Sequence, residues 1–404
     1  MFDIEKTNQK LWSDIEFEKQ AIRDGRLKPA PSFFSEQVSE EEMRQCRSLE
    51  RILYINLEFT NICNLGCTGC FNYYEDIPGE FDPDNIHPPT DFRGDLLSHE
   101  KILDVITQAA EFGAKSIDLM GGGEPLAYKR FFELVEHSRN LGLDVETFTN
   151  GTLIKPKVAQ KMFDHEVQPY VKLYSLNEGL HDTMVNRRGA WKKVREGLKN
   201  LEEAGYGKKG YEGPCAALET IIINKNIDEI PDMWRFARDH KMIPYFERFV
   251  GTHYGDEPDQ LPNPERLKQL WEDILKIDRE EYGYTFPLLP LRIGYSCSSP
   301  FTSVYVQCDG MVRPCSGTWV DLGNVREKPL KEIVQESKAL SSLRSLDKTM
   351  DGFCVSCAYN EEYGCPGCRG QSTLLNGEIT AEDPLCFHNP KNLTRSTGGI
   401  DTNS

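Results

Sequence analysis

The sequence predicts an α/β chain: a partial (β/α)6 barrel of TIM type, followed by a small C-terminal cysteine-rich domain. Three observations predict it. From Arg51 onward, short apolar segments alternate with amphipathic helical segments, about six times. Such alternation implies a parallel sheet covered by helices on its outer face; eight units would close the barrel and six leave it open. Thirteen cysteines are unevenly placed, three within Cys63–Cys70 and eight within Cys297–Cys386. After residue 291 Gly and Pro become frequent and helical segments shorten, the texture of a domain held by metal rather than by a large core.

The elements follow in order. Residues 1–50 read as a helical extension in which Ser39 and Glu42 form a capping box. Residues 51–290 hold the barrel and a linking helix. "RILYINLEF" is a strand and leads into the first cysteine loop and a Pro/Gly/Asp-rich loop, "EDIPGEFDPDNIHPPTDFRG". A helix opens at Ser98 and stops at Gly113. Four strand–loop–helix units begin with "KSIDLM", "DVETFT", "YVKLYS" and "AALETIII", and "PYFERFV" is the last strand. "NPERLKQLWEDILKIDREEYG" links to the cysteine-rich domain, residues 291–390, and 391–404 form a polar tail expected to be disordered.

Composition narrows the function. The net charge of −17 leaves no broad basic surface for nucleic acid. No stretch of about 18 apolar residues predicts a membrane-spanning helix. The acidic N-terminus lacks a signal-peptide core, which predicts a cytoplasmic protein with reduced thiols. There, clustered cysteines hold metal more often than they form disulfides. The isolated Cys46 and Cys215 read as buried thiols.

Cys63, Cys67 and Cys70 stand as C-x3-C-x2-C in "TNICNLGCTGCFN". Four thiolates would complete a zinc site or satisfy every iron of a 4Fe–4S cluster. Three on such a cluster leave one iron without a protein ligand, open to a chelating small molecule; a zinc site completed by a distant residue is the alternative. Placed directly after the first strand of a β/α barrel, the triad resembles the signature of the radical S-adenosylmethionine enzymes. The resemblance implies a 4Fe–4S cluster whose fourth iron binds S-adenosylmethionine, and reductive cleavage of that cofactor to a 5′-deoxyadenosyl radical that takes a hydrogen atom from substrate. The family often has an aromatic residue just before the third cysteine; here Gly69 stands there and Phe71 follows Cys70, so Phe71 is the candidate adenine neighbour.

"GGGEP" follows the second strand and resembles the family's "GGE" motif. The resemblance implies that Gly121, Gly122, Gly123 and Glu124 meet the amino group of S-adenosylmethionine. Asn150 in "TNG", Ser175 at the end of the fourth strand and Arg187, with Arg188 beside it, are the further cofactor contacts that it implies.

The later cysteines, C-x12-G-x4-C and then C-x2-C-x7-C-x2-C and a last cysteine, resemble the SPASM extension with two auxiliary 4Fe–4S clusters. The resemblance implies three clusters in all. Cys354, Cys357, Cys365 and Cys386 would hold one auxiliary cluster. Cys297, Cys315 and Cys368 would hold the other, whose fourth ligand is Cys308, a non-cysteine group or none. In isolation the CxxC pairs also read as zinc knuckles.

The expected activity is hydrogen-atom abstraction from a ribosomal peptide, giving a cross-link, a dehydrogenation or an epimerisation. The alternative is oxidation or epimerisation of a sugar, cyclitol or other polyol, and the non-enzymatic alternative is an electron-transfer or zinc protein. An electron donor such as flavodoxin or ferredoxin is the implied partner. Glu247 and Arg248 end the last strand and should face the cavity, with Tyr174 and Glu219 as further candidates; Cys215 and Cys308 are candidate hydrogen-atom donors if the reaction is an epimerisation.

Overall fold

A computed structural model describes residues 4–32, 38–68, 70, 95–250, 261–294, 297–346 and 350–393. Gly69, Phe71, the loop 75–94 and the tail from 394 lie outside the described residues. The chain opens with α1 (Ile4–Arg23), β1 (Lys28–Pro29) and α2 (Glu40–Arg47), where Ser39 and Glu42 form the capping box. The barrel follows as β2 (Tyr54–Glu58), α3 (His99–Glu111), β3 (Ser116–Met120), α4 (Phe131–Asn140), β4 (Asp144–Thr149), α5 (Pro156–Asp164) and β5 (Val167–Lys172). It continues with α6 (Glu178–Met184), α7 (Ala190–Ala204), β6 (Ala217–Ile222), α8 (Ile230–Asp239) and β7 (Ile243–Arg248). Next come α9 (Pro264–Ile277), β8 (Tyr284–Thr285), β9 (Ser303–Val306), β10 (Met311–Arg313), β11 (Gly323–Asn324) and short helices among the later cysteines.

Strands β2 to β7 lie side by side in sequence order, each parallel to the next, which makes the open (β/α)6 half-barrel. Beyond β2 the sheet runs on into the C-terminal region, with β9 parallel to β2 and β10 and β11 antiparallel after it. At the opposite edge the strap Leu291–Ile293 covers β7. Arg248 N donates to Leu291 O at 3.0 Å and Ile293 N to Phe246 O at 2.9 Å. The N-terminal extension also packs on the C-terminal region, through Leu11 and Ile15 against Phe353, Ala358 and Tyr359.

One strand differs from its sequence reading. The pattern places the fourth strand at Tyr170–Ser175. The structure runs β5 through Pro169, in register with Thr147 of β4, and ends it at Lys172. The following segment, read as loop, carries α6, capped by Asn177, whose side chain accepts from Leu180 N.

Along each strand the side chains alternate in kind as well as in direction. Ile55, Leu57, Ile117, Leu119 and Val145 point outward and pack with Val105 and Leu134 from the covering helices. Val171, Leu218, Ile222 and Phe246 do the same against Val194, Trp234 and Trp271. Each such side chain contributes about 1.5–3 kcal/mol by leaving water. The alternate positions point inward and are polar: Asn56, Glu58, Asp118, Glu146, Lys172 and Glu219. A core selected for stability alone would not bury charges there, since an unpaired buried charge is costly. Among the described residues no helix is long and apolar enough to cross a membrane.

Candidate cofactor and substrate site

The cysteine loop is held from three sides. Gly66 N and Thr68 N donate to Val185 O and Met184 O, at 3.1 and 2.9 Å, so the end of α6 carries the loop. Arg187, 3 % exposed, donates through Nε to Asn64 O at 3.3 Å, whereas Arg188 is exposed. The glycine motif closes the third side. Gly123 N donates to Thr60 O at 3.1 Å and Glu124 N to Ile62 O at 2.8 Å. A Cβ on Gly123 would stand 2.0 Å from Ile62 O, so only glycine lets the two loops meet.

Glu124 binds the second motif to the third. Its Oε1 accepts from Thr149 Oγ1 at 2.6 Å and from Leu126 N at 3.1 Å; its Oε2 accepts from Asn150 N at 2.7 Å. The carboxylate is thus engaged by the chain's own donors, while its residue still lines the cavity. Asn150 Nδ2 donates to Asn64 Oδ1 at 2.8 Å and lies 4.0 Å from Cys63 Sγ. The motifs that sequence reading named separately therefore form one hydrogen-bonded frame.

A cavity of about 290 Å³ opens inside the half-barrel. Cys63, Cys67 and Cys70 line it, with Gly121, Gly122, Gly123, Glu124 and Asn150. Cys297, Cys315 and Cys368 from the C-terminal region line the same cavity. Burial, and then the charge of Cys70, pushes the Cys67 thiol up to about 12, and burial lifts Cys315 to about 11 and Cys368 to about 12. Thiols in that state become thiolates only beside a positive group such as a metal centre. Cys354, Cys357, Cys365 and Cys386 form a separate neighbourhood: burial, then Asp383, then the other three thiols raise Cys386.

These donors suit iron–sulfur clusters. They are all thiols, and among the described residues no three Cys, His, Asp or Glu side chains close on one metal-ion position. A tetrahedral zinc site would need each sulfur about 2.3 Å from a single point.

The remaining predicted residues divide. Glu247 lines the cavity and accepts from Arg292 Nε at 3.1 Å. Arg248 also lines it, but its Nη2 is spent on both oxygens of Asp383, at 2.8 and 2.6 Å, with both residues almost fully buried. Asp383 in turn accepts from Cys368 N at 2.8 Å and Leu385 N at 3.0 Å, so Arg248 supports a cysteine segment. Tyr174 and Glu219 line the cavity.

Ser175 is fully buried outside the cavity lining; its hydroxyl donates to Glu229 Oε2 and accepts from Asn177 N at 2.9 Å. Cys215 lies just before β6, at the end of the strand opposite the cysteine loops, where its thiol donates to Gly210 O. Cys308 is buried on the far side of Glu58, which accepts its backbone N–H at 3.3 Å. Neither cysteine is brought to the cavity, and Cys308 does not join Cys297, Cys315 and Cys368 in lining it.

Sequence reading missed Asp118, Glu146, Lys172, Tyr245, Arg292 and Asp383. Lys172 pairs with Glu219 at 3.3 Å. Burial raises Glu219 and Lys172 holds it back, leaving it at about 7. The available signal was an acid at the third position of "SIDLM" and of "DVETFT", each flanked by residues for the opposite face.

Comparison with known proteins agrees with this geometry. Residues 57–237 match the radical SAM superfamily, and residues 297–358 match SPASM, an iron–sulfur cluster-binding domain. The AdoMet-dependent heme synthase of Methanosarcina barkeri is 26% identical over 360 residues, covering 82% of this chain and 95% of that protein. The PqqA peptide cyclase of Bradyrhizobium diazoefficiens is 25% identical over 362 residues, covering 85% and 88%. The crystal structure of Streptococcus suis SuiB bound to S-adenosylmethionine superposes with a TM-score of 0.61 at 18% identity, covering 83% of this chain and 77% of that one.

Proposed function

From its membership of the radical S-adenosylmethionine superfamily, with an SPASM iron–sulfur domain, we propose that this enzyme removes two hydrogens from a peptide side chain, making a cross-link or a dehydrogenated residue. Its cofactors are S-adenosylmethionine and 4Fe–4S clusters, one held by Cys63, Cys67 and Cys70 and auxiliary ones by the later cysteines. When bound, they supply a 5′-deoxyadenosyl radical on one side of the substrate and an electron acceptor on the other. The observation that carries the reading is the single cavity lined by both Cys63–Cys70 and Cys297, Cys315 and Cys368. A substrate there has radical generation and an electron sink within one enclosure, which supports an oxidative outcome. Glu219, at about 7, is suited to take the proton that leaves with the electron. Epimerisation would need a hydrogen-atom donor, and neither Cys215 nor Cys308 lines the cavity.

The cavity's charge supports a peptide. Among the described residues Glu58, Asp118, Glu124, Glu146, Glu219 and Glu247 line it, against Lys172, Arg248 and Arg292. Each of the three cations has a carboxylate partner of its own, Glu219, Asp383 and Glu247. A substrate bearing several carboxylates would meet an excess of acids, with Arg248 Nε and Nη1 as the donors left open on the cation side. A second reading, a porphyrin carboxylic acid, is favoured by the likeness to heme synthases.

Anaerobic incubation with S-adenosylmethionine and a reductant tests both. Peptides encoded beside the gene and a porphyrin carboxylic acid are supplied in parallel and followed by mass spectrometry. A peptide losing two hydrogens, with an equivalent of 5′-deoxyadenosine, bears out the proposal. Loss of carbon dioxide from the porphyrin overturns it in favour of the second reading. An unchanged peptide mass with deuterium gained from heavy water means epimerisation, and oxidation of an added polyol in place of either substrate means a small-molecule enzyme.

A further inference from the structure

We propose that the inward face of β3 and β4 is a recognition site for an alkylammonium group, so that the substrate carries a lysine-type cation beside its reacting carbon. The proposal rests on the peptide reading above and names the chemistry the cavity selects. Asp118 and Glu146 are paired in register on adjacent parallel strands, which points both carboxyls into the half-barrel. They are 7 % and 3 % exposed and both line the cavity. Glu146 Oε2 accepts from Tyr170 Oη at 2.8 Å. Asp118 Oδ1 accepts from no donor, while the same carboxyl meets that of Glu146 through a hydrogen bond; burial, and then Glu146, hold it well above the usual carboxylate range, so the pair keeps a proton and presents one negative charge.

A second, separate oxygen is in the same state. Glu219 Oε2 on β6 is buried without a partner, although Oε1 of the same residue meets Lys172. Burying a carboxylate oxygen without a donor is costly, so two of them lining one cavity call for a donor from outside the chain. An ammonium group brings three N–H donors and a full positive charge, and no acceptor that would face the acids.

The aromatic residues around these acids fit the same ligand. Phe148 stacks on Tyr170 with ring centroids 4.2 Å apart, and Tyr245 meets both edge-on, at 5.7 and 5.0 Å. Ring faces attract cations and shelter the methylenes that carry them. The cavity already holds one such arrangement: the Arg292 guanidinium lies 4.8 Å from the Tyr245 ring while its Nε is bound to Glu247. That cation is hydrogen-bonded to Glu247 and only faces Asp118 through its charge, so the Asp118 and Glu146 pair keeps an oxygen open to the substrate. A carboxylate or phosphate group would be repelled from this floor, and a purely apolar one would leave both oxygens unpartnered.

Calorimetric titration of the reconstituted holoenzyme, loaded with S-adenosylmethionine, tests the site with pentylammonium against 1-pentanol. Pentylammonium should saturate and bind at least about tenfold more tightly than pentanol, and Asp118→Asn should remove about that factor. Equal affinities for the two probes, or an affinity that Asp118→Asn leaves unchanged, overturns the proposal. Iron content and S-adenosylmethionine affinity check that the variant keeps its clusters. Should Asp118→Asn lose iron, Glu146→Gln, a near-isosteric change on the neighbouring strand, carries the same test with the same two outcomes. Reductive cleavage of S-adenosylmethionine in the same preparation is scored separately. Cleavage without ammonium binding sinks this inference alone, and binding without cleavage sinks the radical reading alone.

Discussion

At the mouth of the half-barrel, Cys63, Cys67 and Cys70 share one loop, and two short motifs fold around it, through Gly123 and Glu124 and through Asn150, which meets Asn64 of the loop. In the interior, by contrast, the four central strands give one charged side chain each: Asp118 from β3, Glu146 from β4, Lys172 from β5 and Glu219 from β6. The mouth carries the motifs that lie within the match to the radical SAM superfamily, and its residues are gathered in compact runs. In the proposed function the interior meets the substrate, and a single substitution on a strand would change it without disturbing the frame. The motif frame and the polar interior are thus separated in space, an arrangement common in barrels built on β/α units.

The largest effect should come from the mouth. Cys63→Ala should abolish cleavage of S-adenosylmethionine and lower the iron content from about twelve to about eight per chain, one cluster's share. Iron analysis and product chromatography check this on one sample. Cys386→Ala should also lose iron yet keep the cleavage, because Cys386 belongs to the other thiol neighbourhood. Equal loss of cleavage in both variants would break the division between the two regions.

Where the barrel meets the C-terminal region, Arg248 makes the next largest contribution. Arg248→Met leaves Asp383 buried without its cation, and breaking such a pair typically costs about 3–5 kcal/mol. Denaturant unfolding under anaerobic conditions should show that loss. The double variant Arg248→Met, Asp383→Leu should recover part of it, since the stranded charge is gone. If the single variant is as stable as the parent, Arg248 is free for substrate rather than support.

The same contrast explains what the sequence revealed. The half-barrel was legible because outward Ile, Leu and Val recur between amphipathic helical segments, and the cysteine loop because its three cysteines lie within eight residues. Asp118 and Glu146 were not legible, since each looks like an isolated acid in an apolar strand until the register sets them side by side. Asp383, far from β7 in sequence, is tied to Arg248 only by the fold. Pro169 hid the true extent of β5, and with it the place of Lys172 at the strand's end. Arg187 and Arg188 could not be told apart in sequence; one faces the cysteine loop and the other faces water.

A smaller effect tests how closely the mouth is packed. Gly123→Ala would place a methyl 2.0 Å from Ile62 O and force the glycine motif away from the cysteine loop. Overpacking of this kind costs about 1–3 kcal/mol. The variant should fold, bind S-adenosylmethionine more weakly and cleave it slowly, whereas Gly377→Ala, with open space around its Cβ, should lose only the stability that its positive φ entails. Unchanged cofactor affinity in Gly123→Ala would mean that the two loops need not touch.

The smallest effect asks whether buried acids in the cavity differ from one outside it. Glu18 on α1 is raised from 4.5 to about 7, by burial first, with Arg279 and Lys19 opposing. Because its folded value is above the unfolded one, the folded chain keeps a proton that the unfolded chain gives up between about pH 4.5 and 7. Stability therefore falls as pH rises through that window and levels off above it. Glu18→Gln should flatten the profile by something on the order of 1 kcal/mol and leave turnover unchanged. Glu219, also at about 7, should show a similar slope, but Glu219→Gln should in addition slow turnover and remove a pH dependence near 7. Paired stability and rate profiles of the two variants decide the point: equal rates would place Glu219 with Glu18 as a buried acid that only the fold uses, and would move proton acceptance to Glu247.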